Sequence, residues 1–88
     1  MALSHRIVQA RSAALRAIKA ADGTPISERV LRDTLKQMVM GDWTELELGD
    51  VIRDLELDGF IEGVVRKFDG QRVWTLSDEG AIAAAKLH

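Results

Sequence analysis

Leu55–Gly80, LELDGFIEGVVRKFDGQRVWTLSDEG, writes a helix end, a hairpin and a helix start in one unbroken run. Asp58-Gly59 supplies a glycine able to take the left-handed conformation that closes the preceding helix. Two runs of strand formers follow, Phe60–Phe68 and Gln71–Leu76, separated only by Asp69-Gly70. Asp-Gly between such runs is the strongest short-range hairpin signal, because a type I′ turn needs positive φ at both central residues and matches the strand twist. Counted from that turn, the register pairs Phe68 with Gln71, Lys67 with Arg72, Arg66 with Val73, Val65 with Trp74 and Val64 with Thr75. Alternation then places Val65, Trp74 and Leu76 toward the helices, and Phe68, Val73 and Val64 on the outer face. Ser77 offers an N-cap oxygen, and Asp78 and Glu79 suit the positive end of a helix dipole. Ile82 and Ala85 are the expected anchors of this short last helix.

Before this run, Ile7, Ala10, Ala14, Leu15 and Ile18 recur at helical spacing and predict a first helix over Leu3–Ala21. Asp22-Gly23-Thr24-Pro25 breaks it, and Ile26 is placed to form a short strand that pairs with the hairpin. Ser27 caps a second helix in which Val30, Leu31, Thr34, Leu35 and Met38 form the inward stripe. Glu28, Arg29, Arg32, Asp33, Lys36 and Gln37 face out. Thr44 and Glu47 spell a capping box for a third helix, with Trp43 placed to pack on Leu48 as a hydrophobic staple. Leu48, Val51, Ile52 and Leu55 continue its core stripe.

At 88 residues the chain makes a single domain, 1–88, with one small core. An apolar content of 47 % beside 30 % charged residues describes a globular domain and not a disordered tail. Cysteine is absent, which excludes disulfides, thiolate metal sites and cysteine nucleophiles, as is ordinary in a reducing cytoplasm. No apolar run approaches the roughly 20 residues that span a bilayer, and arginines interrupt Met1–Ala21 where a secretory segment would be apolar. The expected location is cytoplasmic, with no membrane partner.

The residues Leu55, Gly59, Phe60, Ile61, Asp69, Gly70, Arg72, Leu76, Ser77 and Gly80 carry a family likeness. The chain resembles the winged helix-turn-helix group of bacterial regulators that includes the MarR and PadR families. In those families Gly-hydrophobic-Ile/Val opens the wing, an Asp-Gly-Arg-like tip follows, and Leu-Thr/Ser-x-x-Gly leads into the last helix. Length and layout are, more loosely, similar to small winged-helix proteins of Mu-like phages. The likeness spans roughly Pro25 to Ala85. It implies a mainly α fold with a small antiparallel β-hairpin: a three-helix core, a two-stranded wing and a short C-terminal helix. It also implies DNA association or transcription regulation, although one fold hosts unrelated activities.

In the DNA-binding members the third helix enters the major groove. Here Thr44–Asp58 holds Glu45, Glu47, Asp50, Asp54, Glu56 and Asp58 against Arg53 alone, a net charge of −5 in a chain of −2. Phosphate neutralisation by Lys and Arg supplies most non-specific DNA affinity, so such a helix repels a duplex. The basic charge lies on the first two helices and the wing. Arg66, Lys67 and Arg72, with Arg29, Arg32 and Lys36, are therefore the candidate contacts to double-stranded DNA. The alternative partner is a protein, or a second copy of the chain, met by Glu45, Asp50 and Asp54 and by the outer-face Phe68, Val73 and Val64.

Catalytic chemistry is not written here. His5 and His88 are the only histidines and have no metal-ligand spacing. Ser4, Ser12, Ser27 and Ser77 have no histidine placed to activate them, and no glycine cluster cradles a phosphate. Trp43 and Trp74 read as staple and core. The expectation is a binding protein with no enzymatic activity, no cofactor and no small-molecule ligand.

Overall fold

The computed structural model describes residues 4–87. It is mainly helical with a small antiparallel sheet: α1 (His5–Ala20), β1 (Ile26–Ser27), α2 (Glu28–Met38), α3 (Glu45–Leu57), β2 (Ile61–Val65), β3 (Arg72–Leu76) and α4 (Asp78–Ala85). The predicted start of the first helix at Leu3 lies outside the described residues, as does His88.

Each helix begins where a side-chain oxygen satisfies an otherwise free N–H. Ser4 accepts from Ile7, Ser27 from Val30, Thr44 from Glu47 and Ser77 from Gly80. At α3 the capping box is complete, because the Glu47 carboxylate also accepts the Thr44 N–H at 3.0 Å. Its other end is a Schellman motif: the Phe60 N–H donates to Leu55 O and the Gly59 N–H to Glu56 O, with Gly59 at φ 83°.

α1 lies against α2, α3, α4 and β3. Its inward face is small, with Ala10, Ala13, Ala14 and Ala17 beside Leu15 and Ile18, so neighbouring elements approach it closely. Leu31 and Leu35, then Leu48, Val51, Ile52 and Leu55, then Ile61 and Trp74 complete the core. Trp74 is fully buried, yet its Nε1 has no acceptor among the described residues. Burying an indole of some 150–250 Å² is worth about 4–6 kcal/mol at 25 cal/mol per Å², against roughly 1–3 kcal/mol for an unpaired N–H, so burial wins.

The sheet order is β1-β3-β2, all antiparallel, with Ile26 opposite Trp74 as expected. The hairpin register differs from the expected one by two residues: Trp74 faces Gly63, Val73 faces Val64, and Val65 faces Arg72. Asp69 does not take positive φ. Instead its carboxylate accepts the Gln71 N–H at 3.1 Å and the Arg66 guanidinium, leaving Gly70 alone at φ 71°. The loop is therefore the four residues Lys67–Gly70, closed by the Arg66 N–H on Gln71 O and the Gly70 N–H on Arg66 O. A shift of two preserves the side-chain faces, so Trp74 still points inward. Gly63 is what the ring requires, since a Cβ there would lie 2.6 Å from Trp74 Cζ3.

Three expected burial patterns are corrected. Val73 is buried, at 6 % exposure, because β3 is the central strand with β1 and β2 on either side. On α2 only Leu31 and Leu35 are buried; Val30 and Met38 are exposed, and the part-buried Arg32 turns toward α3. On α4, Ile82 and Ala85 face out while Gly80 and Ala84 face in. Gly80 sits against the Phe60 carbonyl, a closeness only a residue without Cβ allows, and this contact decides which side of α4 is inner.

Candidate functional site

α2, α3 and the hairpin together border an open groove of about 570 Å³, lined by Arg72 and Trp74 of β3 and by Leu46, Asp50 and Arg53 of α3. Of the candidate binding residues, Arg32, Arg72, Glu45 and Asp50 line it.

The arrangement of charge around it is the main finding. The carboxylates of α3 meet cations from each of the other basic elements within the chain. Glu45 holds Lys36 and lies 3.5 Å from Arg32. Glu47 meets Arg6 of α1 at 2.8 Å, Asp58 meets Arg11 of α1, and Glu56 meets Arg72 of β3 at 3.8 Å. Arg6 also stacks over Trp43 at 3.9 Å, which places the expected staple residue under a cation. Arg32 is clamped a second time by Glu28, at 2.8 Å. Its guanidinium lies over Gly49, where a Cβ would be 3.1 Å from Nη2.

These contacts shift the carboxyls. Lys36, then Arg32, holds Glu45 below the usual carboxylate range. The Thr44 N–H, then Arg6, does the same for Glu47, and the Gln71 N–H, then Arg66, for Asp69. All three groups are solvent-exposed, so each pair adds little stability by itself.

Of the six candidate DNA contacts, Arg32, Lys36, Arg66 and Arg72 are engaged by carboxylates, and Arg72 also lies 5.7 Å above the Trp74 ring. Arg29 and Lys67 meet no carboxylate among the described residues. Of the candidate protein contacts, Val73 is removed by burial and Glu45 is paired. Asp50 and Asp54 remain on the outer side of α3. Phe68 stands 100 % exposed at the hairpin tip, and Val64 is 63 % exposed.

The sequence reading missed three apolar contributors to the surface. Leu46 and Leu57 of α3 are 76 % and 74 % exposed, and Val65, expected to face the helices with Trp74, is instead exposed as the last residue of the edge strand, opposite Arg72. Leu46 and Leu57 fall outside the core stripe, a signal that was available. A second open groove, about 480 Å³, is lined by Val8 and Arg16 of α1 and by Met38, Val39 and Met40 at the end of α2. Among the described residues no three His, Asp or Glu side chains converge on a metal-sized site, and no helix is long and apolar enough to cross a membrane. Comparison with family models, curated proteins and solved structures returns no match.

Proposed function

We propose that this chain is a single winged-helix domain, with β2–β3 as its wing, that acts by docking on another protein through the side formed by α3 and the wing. The internal pairing of α3 carboxylates with the cations of α1, α2 and β3 carries this reading. A duplex placed along α3 would meet Asp50, Asp54 and the four paired carboxylates, while the nearby cations are already shared. Exposed Leu46, Leu57, Val65 and Phe68 on the same elements suit an apolar partner surface ringed by charge.

A second reading keeps DNA as the partner, met by the wing tip and the start of α2, because Lys67 and Arg29 meet no carboxylate. The two readings separate by salt dependence. Six phosphate contacts give a slope of log K against log salt of about −5, and two contacts about −2. Fluorescence anisotropy with a mixed-sequence duplex between 50 and 200 mM salt should show weak binding and the shallow slope. Photoreactive groups at Leu46 and Phe68, but not at Lys19, should crosslink a protein in the source cells. Micromolar duplex binding at physiological salt with a slope near −5, lost on Arg66→Ala and Arg72→Ala, would overturn the protein reading.

A further inference from the structure

β2 is an edge strand, and its hydrogen-bonding direction can be read from its two ends. The Ser77 N–H donates to Phe60 O and the Arg66 N–H to Gln71 O, so the Phe60 carbonyl and the main-chain groups of Glu62, Val64 and Arg66 face β3. Ile61, Gly63 and Val65 therefore direct theirs away from the sheet. No turn, cap or side-chain bond among the described residues uses those three. The usual protections of an open edge are nearly missing. β2 contains no proline and no lysine, its single charge is Glu62, and Val64 and Val65 are exposed. Gly63 adds no side chain to shield the edge, because Trp74 fills that place on the inner face.

We propose that β2 is a self-pairing edge, joining antiparallel to β2 of a second copy about a two-fold axis at Val64. The sequence selects both the occupant and the register. A two-fold axis places a residue opposite itself. Centring on Val64 sets the two Val64 side chains together and puts Glu62 of each copy opposite Arg66 of the other. Gly63 and Val65 of opposite copies then exchange main-chain bonds. Centring on Gly63 sets Glu62 against Val64, and centring on Val65 sets Val64 against Arg66, so neither matches charge to charge. Glu62, Val64 and Arg66 share the outer face, and cross-strand opposite charges and apolar pairs are the stabilising units of a sheet. Arg66 lies at the ladder end, where its guanidinium is held by Asp69 of its own turn and, in this register, would also face Glu62 of the second copy. This uses the free main-chain edge of β2 and not the α3 surface.

An interface of one strand pair falls below the area of stable dimers, so the association is expected to be weak. Sedimentation equilibrium of the full chain from 10 µM to 1 mM should show a concentration-dependent monomer–dimer equilibrium. Glu62→Arg should lower the association constant about tenfold by opposing two arginines across each pair, and Glu62→Arg combined with Arg66→Glu should restore it. Val64→Lys should abolish association, with thermal unfolding checked to confirm that the fold persists. Amide exchange by NMR provides the register: protection of Gly63 and Val65 should rise with concentration, whereas Glu62 and Val64 are protected at every concentration. A chain that stays monomeric at 1 mM overturns the proposal. So does a dimer that ignores Val64→Lys, or one in which the charge swap fails to restore affinity.

Discussion

Two glycines inside helices should respond to the same substitution in opposite directions. Alanine is favoured over glycine in a helix interior by about 1 kcal/mol, so propensity alone predicts that Gly80→Ala and Gly49→Ala both stabilise. At Gly80 the added Cβ would overlap Phe60 O, lie 2.8 Å from Phe60 C and 3.3 Å from Leu76 Cδ2. Carbon atoms pack at about 3.5–4.0 Å, so α4 must retreat from the β2 start by roughly 1 Å. That retreat strains the Ser77 N–H to Phe60 O bond at 3.1 Å, the Ser77 hydroxyl bond to Gly59 O at 2.5 Å and the cap on the Gly80 N–H. Overpacking costs about 1–3 kcal/mol and a lost cap about 1 kcal/mol, which outweighs the propensity gain of about 1 kcal/mol and leaves a net loss of roughly 1–3 kcal/mol. In a domain of this size that lowers Tm by roughly 4–24 °C. At Gly49 the nearest neighbour is instead the end of the Arg32 side chain, at 3.1 Å, and it can swing away at the expense of its part-buried ion pair with Glu28, worth about 1 kcal/mol. Gly49→Ala should therefore be neutral or stabilising within about 1 kcal/mol. Urea unfolding at 25 °C, followed by Trp fluorescence, measures both. A Gly80→Ala midpoint equal to or above wild type would refute the packing of α4 on the Phe60 carbonyl.

Trp74→Ala should cost about 3–5 kcal/mol, while Phe68→Asp should leave the unfolding midpoint unchanged, because one ring is enclosed and the other touches nothing. Equal sensitivity of the two positions in urea would show that the hairpin faces are misassigned. Glu45, Glu47 and Asp69 have carboxyls held below their ordinary range, so the stability they contribute is complete above that range and is lost as pH falls through the lowered values. Thermal scans between pH 7 and 3 should show Tm falling below roughly pH 4, less steeply in Glu47→Gln; identical profiles would discount the capping-box carboxylate.

The starts and ends of the helices were legible in the chain because they depend on contacts a few residues apart. Ser27, Thr44 with Glu47, Ser77 and Gly59 each do what their local chemistry predicts, and the stripe Leu48, Val51, Ile52 and Leu55 follows from helical period alone. The short strand at Ile26 was expected from the architecture the chain resembles and not from its own residues. The hairpin register was not, since Asp69 had two ways to make a turn, through its backbone or through its carboxylate. The second prevails because the same oxygens also hold Arg66.

Tertiary structure alone decided the rest. Val73 is buried because β1 completes the sheet beside it, and Gly80 faces in because the Phe60 carbonyl lies there. The chain also displays a segregation of charge without saying which charges meet. Arg6 and Glu47 are 41 residues apart and Arg11 and Asp58 are 47 apart, yet the fold brings each pair into contact. Coulomb attraction depends on distance through space, which composition does not contain. The acidic third helix that looked outward for a partner is, in the folded chain, largely answered by the basic elements around it.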